Sequence, residues 1–149
     1  ADGQHDLAAV TDFLDQAHHN PQALVCGYPI YDQTVPLSRL WGRELTNFWV
    51  HVNTRSKALR DAMCGFRVYP LAQTLPVLPS VKTRRMDFDP DIVVRLIWAG
   101  VTVINRPVRV TYPKDGISHF RGFSDNMRIS RLHAGHFCTM LLRRMGLAK

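Results

Sequence analysis

Short apolar runs alternate with stretches of helical period along this chain, and Pro or Gly marks most of the junctions. Such alternation restricts the fold to helices packed on a sheet, the α/β class. Asp6 is placed to cap a helix reaching His19, with Leu7, Val10, Phe13, Leu14 and Ala17 on one face. Asn20-Pro21 stops it. Ala23 to Tyr28 reads as a buried strand, and Tyr28 to Pro36 as a loop. Pro36 to Val52 is helical in period, through Leu37, Leu40, Trp41, Leu45, Phe48, Trp49 and Val52. Phe66 to Tyr69 is a short extended piece, and residues 73–85 read as a mobile basic loop. Asp89 caps a further helix with Pro90 at its first position, and Gly100 ends it. Val101 to Ile104 and Val108 to Tyr112 read as two strands. A loop over Lys114 to Gly122 leads to a last helix, 124–145.

With 149 residues the chain suits one domain, 1–149. Its 46% hydrophobic and 21% charged residues exclude a disordered chain. The longest apolar run, Ile92 to Ile104, is interrupted by Arg95 and is too short to span a bilayer. Ala1 to Asn20 holds four Asp and no Lys or Arg, unlike a signal peptide. Cys26, Cys64 and Cys138 form no close pair and read as buried thiols of a reducing compartment, which places the protein in the cytoplasm. The net charge of +7 suits an anionic partner. It is uneven: Arg106 to Lys149 carries nine Lys and Arg against Asp115 and Asp125.

Several constellations carry chemistry. Asp2 and Gln4, just before a helix, are oxygen donors suited to Mg2+ or Mn2+, or a simple cap. In residues 60–69, Asp61 suits proton acceptance and Arg67 a phosphate. Gly65 permits close backbone approach or an unusual φ. The structural alternative is a turn with an internal Asp–Arg ion pair. Asp87-x-Asp89 is either a metal pair or the start of a helix. His133-x-x-His136 has metal-compatible spacing without an evident acidic third ligand, and otherwise reads as surface or packed histidines. The last helix sets Met127, Phe137, Leu141 and Leu142 among Arg128, Arg131, Arg143 and Arg144. It reads as a membrane-surface helix or as a core helix with a basic edge.

Taken in order, these segments resemble the bacterial family-two glycosyltransferases, near the dolichol-phosphate mannosyltransferase-like branch. The matching pieces are Ala1-Asp-Gly-Gln-His5 before a helix, Ser38-Arg39 in the next helix, and Asp61-x-x-x-Gly65-Phe66-Arg67-x-Tyr69. Phe88 to Gly100 and the strand Ile104 to Val110 follow, then Asp115-Gly-Ile-Ser-His-Phe-Arg121 and Asp125-Asn126. The resemblance spans the whole chain. The family pattern has an Asp before Ala1 and a nucleotide-binding half before that.

The resemblance implies the acceptor-side part of a Rossmann-like glycosyltransferase A fold. It implies an inverting transferase that moves a sugar from a nucleotide-diphosphate donor to an acceptor, lipid-linked in one version, with a divalent ion. Asp2, Gln4 and His119 are then the metal contacts and Asp61 the base. Arg39, Gly65, Phe66 and Arg67 bind substrate or phosphate. The 149 residues by themselves are expected to be inactive in transfer, and to expose a sheet edge. A peripheral contact with the inner face of the membrane is a further expectation. The alternatives are a nucleic-acid-binding module and a non-catalytic interaction domain. No recognition-helix, zinc-finger or RRM pattern supports the former, so no specific nucleic acid is expected.

Overall fold

Strand β1 (Leu24–Tyr31) is the centre of a three-stranded mixed sheet in the computed structural model, which describes residues 6–31, 35, 37–111 and 122–147, with backbone only at 37–39 and 122. On one side β1 pairs antiparallel with the short β2 (Arg67–Val68). On the other it pairs parallel with β3 (Val103–Val110), from Leu24↔Val103 to Tyr31↔Val110. The α/β class is therefore observed. A parallel pair needs a crossover, and here the intervening helices supply it.

Helix α1 (Ala9–His19) precedes the sheet. Helix α2 (Leu37–Thr54), the short α3 (Leu71–Thr74) and α4 (Phe88–Trp98) lie between β1 and β3. Helix α5 (Gly122–Arg144) follows. Alternation along the strands gives the sheet two covered faces. Leu24 and Cys26 join Val50 of α2 and Ile92, Val93 and Leu96 of α4 in the main core. Cys64, Val108 and Val110 form a second cluster with Ala9 of α1, Tyr31 and Phe66. Phe13 of α1 meets Phe66 edge-on, 4.7 Å between ring centroids.

Some boundaries differ from the sequence reading. β1 runs on to Tyr31 where a loop is expected from Tyr28, because its ladder to β3 continues that far. The two strands expected around Pro107 are one. Among the described residues β3 has a strand neighbour on one side only, and an edge strand tolerates a residue without an N–H. The expected mobile loop at 73–85 instead holds the end of α3 and a 3-10 turn (Leu78–Ser80). Val77 and Val81 pack on the main core, and Thr83 donates to Asp91 at 2.9 Å. α4 starts at Phe88 with Asp87 at its N-cap, so Asp89 lies inside the first turn and Pro90 takes the third position, not the first. Gly100 ends that region with φ +82°, a left-handed conformation that glycine adopts without steric cost. Asp6 is not the cap expected: the helix begins at Ala9 with Ala8 at its N-cap and no side-chain cap bond, and Asp6 Oδ1 instead accepts from Ala8 N–H at 2.9 Å in the turn before it. Cys138 is exposed rather than buried.

Candidate functional site

The carboxyl edge of the parallel pair β1/β3 is where open α/β sheets place ligands. Tyr31 and Val110 end the two strands there in register. Asp6 N–H donates to Arg109 carbonyl at 3.1 Å, so the chain enters α1 from this edge as well. Asp2, Gln4 and His119 lie outside the described residues. No group of three His, Cys, Asp or Glu side chains among the described residues is arranged to hold a metal ion.

Asp61 stands beside this edge. Its side chain is nearly buried, and Arg43 of α2 donates through Nη1 to both carboxylate oxygens at 2.6 Å. Oδ1 also accepts from Met63 N–H at 2.9 Å and Cys64 N–H at 2.6 Å. An aspartate that accepts from backbone two and three residues on makes a local turn, which is why the chain reverses here. Asn47 of α2 reinforces it, its Oδ1 accepting from Ala62 N–H at 2.9 Å. The Arg43 guanidinium lies 5.6 Å from the Tyr31 ring centroid, which ties the pair to the end of β1. The ion pair therefore crosses between elements and is not internal to the turn. Oδ1 carries three of these contacts and Oδ2 one, so Oδ2 keeps the greater accepting capacity.

Arg67 occupies β2, opposite Cys26. Its side chain is 0% exposed. Nη1 donates to Asp89 Oδ1 at 2.9 Å and Tyr69 Oη at 3.2 Å, and Nη2 to Ala62 carbonyl at 2.8 Å. Burial works against this charge, but Tyr69 and Asp89 outweigh it and hold the pKa above the ordinary arginine value. As folded, the guanidinium clamps α4 and the Asp61 turn onto β2. Only Nε is buried without a partner among the described residues.

Phe66 contributes through both ends: its ring packs on Phe13 and its carbonyl accepts from Gly27 N–H at 2.8 Å. Gly65 is exposed and its backbone is not left-handed; a Cβ there would meet open space. The expected unusual φ is therefore absent, and what remains is room above the turn. Arg39 lies one helical turn before Arg43 in α2. The structure thus brings Asp61, Gly65, Phe66 and Arg67 into one turn against β1. Sequence reasoning missed Arg43; its signal was the i, i+4 spacing from Arg39.

The second polar set lies away from that edge. His133 and His136 of α5 are buried, so the packed alternative describes them. His136 Nε2 lies 2.9 Å from Asp91 Oδ1, which also accepts from Arg95 Nε at 2.6 Å. Burial raises the Asp91 carboxyl, but hydrogen bonds from His136, Arg95 and Thr83 outweigh it and leave the group below the usual range. His133 stacks on Trp49 at 6.5 Å and faces Asn53 of α2. Burial, with His136 nearby, pushes its pKa down to about 4.

Compared with protein-family models, curated proteins and solved structures, the chain matches none of them.

Proposed function

We propose that this chain is the acceptor-side part of an inverting sugar transferase that uses a nucleotide-diphosphate donor. One observation carries the reading. The Asp61–Arg43 pair stands by Tyr31, and Asp6 and Val110, described residues near Asp2, Gln4 and His119 in the sequence, lie at the same strand edge. Asp2, Gln4 and His119 would hold a divalent ion, which would supply charge neutralisation for the leaving diphosphate. Asp61 Oδ2 accepts the proton of an acceptor hydroxyl, while Arg43 and two backbone N–H groups fix the carboxylate's orientation. For a phosphate acceptor, already anionic, Asp61 only orients the site. Arg39 is the phosphate contact, and Arg67 supports the turn from beneath.

The test uses the chain joined to the nucleotide-binding half that the resemblance implies. Mn2+-dependent donor hydrolysis or transfer is measured over a panel of UDP- and GDP-sugars, beside Asp2→Asn and Asp61→Asn. Turnover lost in Asp2→Asn supports the reading. A fall of about 100-fold or more in Asp61→Asn, with donor binding retained, assigns the base. A folded protein that neither binds nor turns over any donor overturns it. That result favours a non-catalytic interaction domain, the reading to which the fully enclosed Arg67 side chain lends weight.

A further inference from the structure

Helix α5 packs with its polar side inward. Asp125, His133 and His136 are buried, against Arg85, Asn53 and Asp91. Ile129 is buried with them, but several of the helix's larger apolar residues are left outside: Phe123, Met127, Phe137 and Leu141 are all exposed, Phe123 at 84%. Intervals of four, ten and four keep these four on one side of the helix.

Helix α2 repeats the pattern. Thr46, Asn47, Val50 and Asn53 face the core, while Trp41, Leu45 and Phe48 are 77%, 60% and 56% exposed on the opposite side. The outward faces are joined. Phe48 meets Trp49 edge-on at 5.6 Å, and Trp49 meets Phe137 at 6.3 Å. A contiguous apolar surface of this kind marks an interaction site.

Its charge selects the partner. Arg55 and Lys57 follow α2 and, with Glu44, Phe48, His51 and Ser56, line an open groove of about 550 Å³. These two cations outweigh the partial negative charge at the end of α2. Arg128, Arg131 and Arg144 flank the apolar side of α5. None of the five cations makes a salt bridge among the described residues, and Glu44 is the one exposed acid in the two helices' described residues. A symmetric contact between two copies would set this basic rim against itself. No helix among the described residues is long and apolar enough to cross a membrane.

We propose that the outward faces of α2 and α5 form a surface that docks on an anionic lipid bilayer. The aromatic and aliphatic side chains enter the headgroup boundary, and Arg55, Lys57 and the α5 arginines meet lipid phosphates. The proposal does not depend on the transferase reading, because docking is read without any sugar donor.

The experiment is sedimentation of the 149-residue chain with vesicles of phosphatidylcholine alone or with about 30 mol% phosphatidylglycerol. Trp41→Ala/Phe48→Ala, Arg55→Glu/Lys57→Glu and the unaltered chain are compared. All are exposed positions, and circular dichroism confirms each fold. The partition onto anionic vesicles is expected to exceed that onto neutral ones by about tenfold, and to fall at high salt. Either double variant lowers it by about tenfold or more, and the Trp41 change removes most of the blue shift in tryptophan emission. Absence of binding to anionic vesicles overturns the proposal. So does binding that both variants retain. A dimer in solution that the Trp41/Phe48 variant converts to monomer also overturns it, giving the face to a second copy.

Discussion

At the scale of single residues, two glycines make opposite demands. A Cβ at Gly27 would lie 2.9 Å from the Phe66 carbonyl oxygen, 3.1 Å from Cys64 Sγ and 3.2 Å from Val108 Cγ1. Backbone held by a ladder cannot yield cheaply, so Gly27→Ala is expected to destabilise by about 1–3 kcal/mol in urea unfolding. Gly65→Ala meets nothing and should stay within about 0.5 kcal/mol. The sequence singles out Gly65 and passes over Gly27, because close approach depends on what the rest of the chain brings alongside. Cysteine chemistry divides in the same way. Burial pushes the Cys26 thiol up to about 12 and also raises Cys64, whereas Cys138 is exposed on α5. Thiol labelling of the native protein should modify Cys138 alone, with Cys26 and Cys64 reacting only after denaturation; peptide mass mapping checks it. Each follows an apolar residue in sequence, Val25, Met63 or Phe137, and packing separates them.

Among the elements, the two arginine pairs do different amounts of structural work. Arg67 holds β2, the Asp61 turn and α4 together from a fully enclosed position. Its removal takes the guanidinium from Asp89, Tyr69 and the Ala62 carbonyl, and because Asp89 is 32% exposed and keeps some water, Arg67→Ala is expected to cost about 3 kcal/mol. Arg43→Ala leaves Asp61 its two backbone donors and should cost about 1–3 kcal/mol. Denaturant titration of both variants measures the difference. The order and type of the larger elements were legible, because α1, α2, α4 and α5 carry helical periodicity or clear stop signals. The sides on which helices pack were less so. In α5 the core-facing positions are Asp125, His133 and His136 beside Ile129, and the three polar ones meet partners from α2, α4 and the segment before α4, although His133 Nε2 and His136 Nδ1 accept or donate no hydrogen bond among the described residues. A rule that sends apolar residues inward fails where long-range hydrogen bonds make polar burial tolerable.

For the molecule as a whole, acid stability follows from the buried seam between α2, α4 and α5. His133 stays neutral in the fold down to about pH 4, whereas an unfolded histidine takes its proton near 6.5. The unfolded state therefore binds more protons in that window, and stability falls as pH drops from about 6.5 to about 4. The loss from this group reaches up to about 3 kcal/mol. Asp91, with its pKa lowered, adds a second loss at lower pH, once the unfolded carboxyl begins to protonate. Unfolding midpoints measured from pH 7.5 to 4 should fall steadily in the wild type and fall less in His133→Gln. Neither residue announces this from its neighbours in the chain. His133-x-x-His136 is four residues of ordinary helix, and its partners Asn53 and Asp91 lie 80 and 45 positions away. The α/β class, the larger helices and the turn at Asp61 follow from the chain read locally, since periodicity, caps and Asx turns act over a few residues. The pairing of Asp61 with Arg43, the enclosure of Arg67 and the outward aromatic face belong to tertiary structure, where partners far apart in sequence meet and share what each side chain can bury or bond.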